Sequence, residues 1–330
     1  MAAIEDYYSA EYWARNGWVA PWLKEVDPSY WREMTICIGE HWPIRKNISW
    51  QEFFLTPEGR ARLRDQLCTR ISQASDHFVP WLEQAVPLAG TRVLEIGCGS
   101  GSSTAGLSHA GARVTGLDIK TQSLAIATRR LSLLGFDAEL IAMPEDWLGC
   151  EAPPEPPPGP YDLIVCYAML EHLTVEERLN LLTMCRAAMA RDGAMLAVFE
   201  TPNRLAPFDW HTTKLAFSEI LPDALAYRYI MENPSMQKHP ARHHAWPDPE
   251  ARKALYRRGR GVSWHEFELV FGLEAMDVLL DGYSPKSHQR NYKPSHPLEK
   301  ALAQIFESMT PPVPRGFCRP SLELLLRLKT

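Results

Sequence analysis

The chain has 330 residues, 45% of them hydrophobic, and a formal net charge of -5. This is the composition of an ordinary globular protein, and its negative charge argues against a chain that coats nucleic acid. The opening MAAIEDYYSAEYW is acidic where a secretory signal is basic, and no apolar run reaches membrane-spanning length. We therefore expect a cytoplasmic protein without a membrane partner. Seven cysteines without a CxxC pair predict neither a disulfide framework nor a thiolate zinc site.

The first 90 residues form a segment of their own. They hold seven of the eleven tryptophans, and apolar residues at helical spacing between 56 and 86 predict at least one long helix. We expect residues 1–90 to be an added helical layer that serves as a lid or an interface. Core packing or a homodimer contact is the expected role of its tryptophans, rather than direct stacking on a substrate.

From residue 91 onwards, short apolar runs alternate with helical stretches. This alternation predicts an α/β fold with a doubly wound, mostly parallel sheet, whose core spans 91–202. Periodicity fails over 203–262, and a helix and strands return over 263–330 to complete the sheet. A long insertion after the carboxyl end of a strand usually builds the substrate side of an α/β site, so 203–262 is assigned that role.

The stretch VLEIGCGSGSSTAG, residues 93–106, places a glycine-rich turn after the first strand of this core. Glycines at 97, 99 and 101 let the backbone turn sharply and let a ligand lie directly on it. The third glycine of the dinucleotide fingerprint GxGxxG is replaced by Ser102, so the pattern alone does not specify a dinucleotide.

Two acidic residues narrow the choice of ligand. Asp118 follows Gly97 by 21 residues, at the end of the next predicted strand, where a carboxylate can accept both hydroxyls of a ribose. Glu95 brings negative charge to a place where a pyrophosphate would be repelled, and it suits an ammonium or sulfonium group. The turn is therefore predicted to bind a cationic ligand that carries an adenosine.

Four motifs, VLEIGCGSG, GLD, YDLIVCYAMLEHL and GAMLAVFETPNR, resemble those of the class I S-adenosylmethionine-dependent methyltransferases, in particular the small-molecule, quinone-methylase-like members. The resemblance covers roughly 91–204 and, more loosely, 262–329. It implies a Rossmann-like sheet of seven strands with the last antiparallel, and S-adenosylmethionine as cofactor. The residues that it implies for cofactor binding are Glu95, Gly97, Cys98, Gly99, Gly101, Asp118, Ile119, Pro144 and Tyr167. Met143 stands where the family often has an acid for the adenine amino group, and Glu145 and Asp146 are the candidates to replace that acid.

The acceptor side offers two chemistries. A hydroxyl acceptor needs a base, and His211 is the first candidate because it lies in the segment that should face the methyl group; His172 and His265 are the others. A carboxylate acceptor needs a cation to position it instead, and the substrate-binding candidates are Arg204, Arg228 and Arg242. The sequence leaves both acceptors open.

Two further patterns argue against other sites. Metal-dependent relatives carry ExxEH where this chain has AMLEH, so Ala168 stands in place of the first glutamate and we expect no metal. The stretch ARKALYRRGRG, 251–261, is interpreted as a solvated helix end closed by glycines rather than as an RNA contact.

The resulting prediction is an enzyme that transfers methyl from S-adenosylmethionine to an oxygen of a small aromatic or apolar molecule, in secondary metabolism. The alternatives are an N- or C-methyltransferase of a small molecule, an RNA methyltransferase, and a catalytically inert protein that binds the cofactor or a partner.

Overall fold

The computed structural model describes residues 3–43, 48–209, 211–236, 240–282, 296–310 and 312–329. The chain divides into two compact units, Met1–Glu145 and Asp146–Thr330. None of the described helices combines the length and the hydropathy that crossing a membrane would require.

The amino-terminal part of the first unit is helical. Its described α-helices are α1 (Ala10–Asn16), α2 (Pro21–Lys24), α3 (Ser29–His41), α4 (Trp50–Leu55), α5 (Pro57–Arg64), α6 (Arg70–Gln73) and α7 (Val79–Leu82). The last three are joined through two π-helical turns into one continuous helix over 57–82, which confirms the predicted long helix. Trp13 and Trp31 are buried in the core of this layer.

The rest of the first unit is a parallel half-sheet with two helices. The strands are β1 (Arg92–Ile96), β2 (Arg113–Asp118) and β3 (Glu139–Ala142), in the order β3-β2-β1. Two helices connect them in chain order, α8 (Ser102–His109) and α9 (Thr121–Leu134). Ile126 and Leu131 on α9 join the core that holds the buried tryptophans, so the amino-terminal layer packs on this helix.

The second unit holds the remaining strands, β4 (Leu163–Tyr167), β5 (Met195–Pro202), β6 (Met276–Asp281) and β7 (Ser321–Leu328). Their order is β4-β5-β7-β6. Strand β4 is parallel to β5, whereas β7 runs antiparallel to both of its neighbours. The seven strands of the described residues are therefore mostly parallel with the last antiparallel, and the predicted Rossmann-like fold class is confirmed.

The helices of the second unit include two in the insertion, of which only the end of the second was predicted. The predicted ones are α10 (Val175–Asp192), α13 (Trp264–Phe271) and α14 (Pro297–Ser308). The two others lie in the insertion, α11 (Asp223–Glu232) and α12 (Pro249–Tyr256). Each buries only a short apolar face, which packs in one small cluster with residues such as Ile230 and Leu255. Faces this short do not stand out among the surrounding prolines and histidines.

Candidate active site

The glycine turn of the first unit follows β1 and opens α8. Gly99 has φ of 55°, and a Cβ built on it would meet nothing nearer than the Gly97 carbonyl oxygen at 4.0 Å. Gly101, with φ of 75°, has the opposite surroundings, because a Cβ there would come within 2.9 Å of the Ala127 Cβ on α9. Gly101 therefore allows close helix packing, while Gly99 leaves an open face on which a ligand can lie.

Glu95 lies beneath this turn and is 1% exposed. Its Oε2 accepts a hydrogen bond of 2.6 Å from the Thr104 hydroxyl, and the Ser103 hydroxyl donates to its Oε1. Burial raises the pKa of Glu95, and the two hydroxyl donors oppose that rise. A carboxylate oxygen can accept more than one hydrogen bond, so a ligand cation can still interact with this group and favour its charged form.

Asp118, at the end of β2, is tied to the turn by its side chain. Its Oδ2 accepts the Gly99 N–H at 2.8 Å, and its Oδ1 accepts the Lys120 N–H at 2.8 Å. These two bonds fix the carboxylate in place beside the open face of Gly99. Each oxygen retains a second lone pair, which is what a pair of ribose hydroxyls would need.

The other candidate cofactor residues of the first unit differ in their exposure to solvent. The Cys98 thiol is buried against Gly116, its pKa is raised by burial, and its N–H is bonded to the Leu117 carbonyl at 3.0 Å. Neither group is therefore available to a ligand. Ile119 is half-buried, and Pro144 and Glu145 are exposed after β3.

Two candidates belong to the second unit. Asp146 is exposed in the turn that begins this unit. Tyr167 ends β4, and its ring meets Phe199 edge to face with the ring centroids 5.2 Å apart. That Asp146 and Tyr167 contact the cofactor remains a prediction.

A cluster of one carboxylate and two imidazoles follows β4 in the second unit. Glu171, in the 3-10 turn Leu170–His172, is fully buried. The Nε2 atom of His172 lies 3.8 Å from Glu171 Oε1, and the Nε2 atom of His211 lies 3.6 Å from the same oxygen. Two of the three histidine candidates are thus brought together, with their ring centroids 6.1 Å apart.

Hydrogen bonds on the far side of each ring define which nitrogen carries a proton. The Thr212 hydroxyl donates to the Arg258 carbonyl at 2.8 Å, so it can only accept from His211 Nδ1, 2.7 Å away. His172 Nδ1 faces the Arg257 carbonyl at 3.2 Å, which is also an acceptor. Both Nδ1 atoms are therefore donors, and in each ring Nε2 is the atom that gains or loses a proton beside Glu171.

Hydrogen bonds to buried residues hold the main chain on both sides of this cluster. The Asp209 carboxylate accepts the N–H groups of His211 at 2.7 Å and Thr212 at 2.9 Å, as well as that of Thr213. The Glu171 carbonyl accepts the Arg260 N–H at 2.8 Å and a longer bond of 3.5 Å from Arg178. This role of Asp209 was not predicted from the sequence, although an aspartate side chain commonly accepts a backbone N–H two residues further along in a turn.

The remaining acceptor-side candidates lie elsewhere. His265 is on the exposed face of α13, and its neighbour Glu266 is the buried residue, paired with Arg178 at 3.2 Å. Arg204 is bonded to Asp223 at 3.0 Å.

Two more arginine candidates are at the surface. Arg228 is highly exposed and pairs with Glu232 one helical turn away, and Arg242 is also exposed.

The basic stretch 251–261 is only partly solvated. Arg252 and Arg257 are exposed, as expected for a helix end, and α12 does end at Tyr256. Arg260, however, is 1% exposed and bonded to Asp223 at 3.0 Å. The interpretation as a solvated end is therefore wrong for Arg260, because acidic residues of the insertion compensate its charge inside the protein.

Within the described residues, no group of three or more histidine, cysteine, aspartate or glutamate side chains is arranged to hold a metal ion. Ala168, which replaces the first glutamate of ExxEH, has φ of 48°. A metal-free site remains a prediction.

Comparison with known proteins supports the motif analysis. Residues 93–193 match a family model described as a methyltransferase domain. The ubiquinone biosynthesis O-methyltransferase of Bordetella parapertussis is 37% identical over 125 residues, which are 38% of this chain and 48% of that protein. The enzyme of the same name from Dechloromonas aromatica is 33% identical over 118 residues, 36% of this chain and 47% of its own length. The chain thus spans about half the length of the curated relatives it matches.

Among solved structures, the magnesium protoporphyrin IX methyltransferase (ChlM) from Synechocystis PCC 6803 with bound SAH covers 84% of this chain and 97% of its own, with 16% identity and a TM-score of 0.43. The match over 93–193 agrees with the strand orders of the two units and with the glycine turn. Residues 93–193 are therefore similar to a methyltransferase domain, and the strand order is that of the Rossmann-like methyltransferase fold.

Proposed function

We propose that the protein transfers the methyl group of S-adenosylmethionine to a hydroxyl oxygen of a small, aromatic or otherwise apolar molecule. The observation that carries this proposal is His211, whose Nδ1 is held as a donor by Thr212 and whose Nε2 lies 3.6 Å from the buried Glu171. With Nδ1 as a donor, Nε2 is the nitrogen that would accept a proton, and the neighbouring carboxylate would stabilise the resulting cation. A hydroxyl acceptor is the kind that needs such a base.

The cofactor would be held by the glycine turn of the first unit. Glu95 would interact with its positive charge, Asp118 would accept the ribose hydroxyls, and the open face at Gly99 would allow close approach of the backbone. Bound there, S-adenosylmethionine would supply a methyl group activated by the neighbouring sulfonium. The hydrogen-bonded state of both carboxylates supports this assignment, because it leaves them preorganised for a cationic adenosine ligand.

The proton of the acceptor hydroxyl would move to Nε2 of His211. The resulting imidazolium would be stabilised by Glu171, and the Nδ1 hydrogen bond to Thr212 would keep the ring in its productive tautomer. His172, beside the same carboxylate, would be the reserve base. The relatives named ubiquinone biosynthesis O-methyltransferases support oxygen as the methylated atom.

Several finer assignments belong to the same proposal. Residues 1–90 would form a lid or interface, and 203–262 would supply the substrate side. The core over 91–202 and the closing segment 263–330 would complete the enzyme. We further propose a homodimer in the cytoplasm, acting in secondary metabolism. Light scattering of the purified protein tests the dimer, and a monomer at micromolar concentration would contradict it.

The first experiment is calorimetric titration with S-adenosylmethionine and S-adenosylhomocysteine, with NAD as the control. We expect micromolar affinity for the first two and none for NAD. Purified protein with labelled methyl donor is then screened against phenols and aromatic acids, with a methyl ether as the expected product. Binding of NAD, or of none of the three, would overturn the cofactor assignment, and a labelled amine or ring carbon would overturn the oxygen assignment.

A further inference from the structure

Arg258 differs from the other arginines around the Glu171 cluster. Arg178, Arg204, Arg257 and Arg260 are each bonded to a carboxylate of this unit. In the described part of the chain, the Arg258 guanidinium has neither an ion pair nor a hydrogen bond, and its Nε atom is buried. A half-buried guanidinium without an anion lowers the stability of the fold, because it loses part of its hydration and no ion pair compensates for that loss.

The surroundings of Arg258 form a small cleft beside the proposed base. Its lining combines polar side chains, Thr212 and Glu219 in addition to Arg258, with apolar ones, Ile230 and Leu255 from α11 and α12. Gly259, next in the chain, is in contact with the base, because a Cβ there would lie 2.9 Å from His211 Nδ1. The cleft therefore lies next to the proposed proton acceptor.

The nearby carboxylates are already engaged. Asp209 is occupied by three backbone N–H groups, and Glu219 accepts the Gly261 N–H at 2.6 Å while facing Arg260 at 3.7 Å. Burial lowers the pKa of Arg258, and Asp209 opposes that effect only through space. A bound anion would supply the missing partner.

We propose that Arg258 binds a carboxylate of the methyl acceptor, so that the acceptor is a hydroxy acid whose acid group is the recognition handle and whose hydroxyl is methylated. This inference rests on the proposed function and specifies its substrate class. A carboxylate fits better than a phosphate, because a dianion beside the buried Glu219 would be repelled more strongly than a monoanion. The apolar residues of the lining would contact the hydrocarbon part of the acceptor.

The test uses pairs of probes that differ by one carboxylate. The pairs are 4-hydroxybenzoate with phenol, 3,4-dihydroxybenzoate with catechol, and 3-(4-hydroxyphenyl)propanoate with 4-ethylphenol. Calorimetric titration without any cofactor should show that wild type binds the acid of at least one pair about 10-fold or more tightly than its neutral partner. The acid should also have the lower KM wherever methyl transfer occurs.

Variants assign that preference to one side chain. Arg258→Gln should lower acid affinity by about 10- to 100-fold and leave the neutral partners unchanged, and Arg258→Lys should retain part of the preference. Arg252→Gln, which removes an exposed arginine of α12, is the matched control and should behave as wild type. Thermal melts followed by circular dichroism identify any variant that is unfolded.

The outcomes separate this inference from the proposed function. Equal affinity for acid and neutral partner in every pair, including no binding of either, overturns the inference, as does a preference that survives in folded Arg258→Gln. An acid preference that requires Arg258 but is accompanied by no methyl transfer and no S-adenosylmethionine binding would keep the anion site and overturn the methyltransferase proposal.

Discussion

The buried carboxylate of Asp209 accepts the backbone N–H of His211 at 2.7 Å, two residues along the chain. Two further N–H groups of the same turn are bonded to it, and they hold the pKa of Asp209 below its usual value although burial alone would raise it. Asp209 is therefore a positioning residue, which fixes the turn that carries the proposed base.

Replacing Asp209 should impair turnover through His211. Asp209→Ala leaves three backbone donors without their acceptor, so we expect the turn to shift and kcat to fall about 10- to 100-fold. Asp209→Asn retains one acceptor oxygen and should restore part of the rate. Steady-state kinetics at several acceptor concentrations checks this. A larger change in KM than in kcat would mean that Asp209 acts on binding instead.

Replacing His211, the proposed base, should lower kcat more than replacing Asp209 does. His211→Ala should lower kcat about 10²- to 10⁴-fold while the affinity for S-adenosylmethionine stays within a factor of two or so, because only the proton acceptor is lost. Glu171→Gln should lower kcat by a smaller factor, and the double variant should be little worse than His211→Ala. His244→Gln, an exposed histidine paired with Asp248, is the control. A normal rate in His211→Ala would assign the proton to another base or indicate a carboxylate acceptor.

Cofactor binding should depend on Asp118 and on the open face at Gly99. Asp118→Ala removes the proposed acceptor for both ribose hydroxyls, and we expect the dissociation constant for S-adenosylmethionine to rise about 10- to 100-fold or more. Gly99→Leu should have at least as large an effect, because its side chain would enter the ligand space.

A matched variant separates ligand exclusion from backbone strain at Gly99. Gly135 at the end of α9 also has a positive φ, 69°, and open space where a Cβ would lie. Gly135→Leu should lose stability to a similar degree and bind the cofactor normally. Calorimetry measures both variants, and unchanged affinity in Asp118→Ala and Gly99→Leu would contradict the assignment.

Acid sensitivity should be centred on Asp223, which accepts hydrogen bonds from Arg204, Arg260 and Tyr256. Burial raises the pKa of Asp223, but these three partners outweigh burial and bring it below 3.8. Its contribution to stability is therefore fully present above pH 3.8 and is lost as the pH falls through the lower, folded-state value.

Asp223→Asn should accordingly lower the free energy of unfolding by about 2–4 kcal/mol at about pH 7. The difference from wild type should shrink as the pH falls towards about 3. Urea unfolding across this pH range provides the measurement, and a difference independent of pH would show that the charge of Asp223 is not the stabilising feature.

The sequence predicted the strands and the glycine turn because their signals are local. Hydrophobic alternation located β1 and β2, and the spacing from Gly97 to Asp118 located the ribose side. The acceptor side could not be predicted in this way. Asp209 and Arg258 are 49 positions apart, and their roles arise only when the insertion folds back so that the turn after α12 contacts Thr212. Arg204 was chosen by its place in the chain, but Asp223 neutralises it.

The hydrogen bond from Thr212 to the Arg258 carbonyl has an evolutionary consequence. The proton arrangement on His211 depends on a main-chain oxygen at position 258, and every amino acid has that oxygen. The side chain at the same position can therefore change while the tautomer of the base is preserved. A family descended from this protein could diversify its acceptors at position 258 without rebuilding the catalytic chemistry.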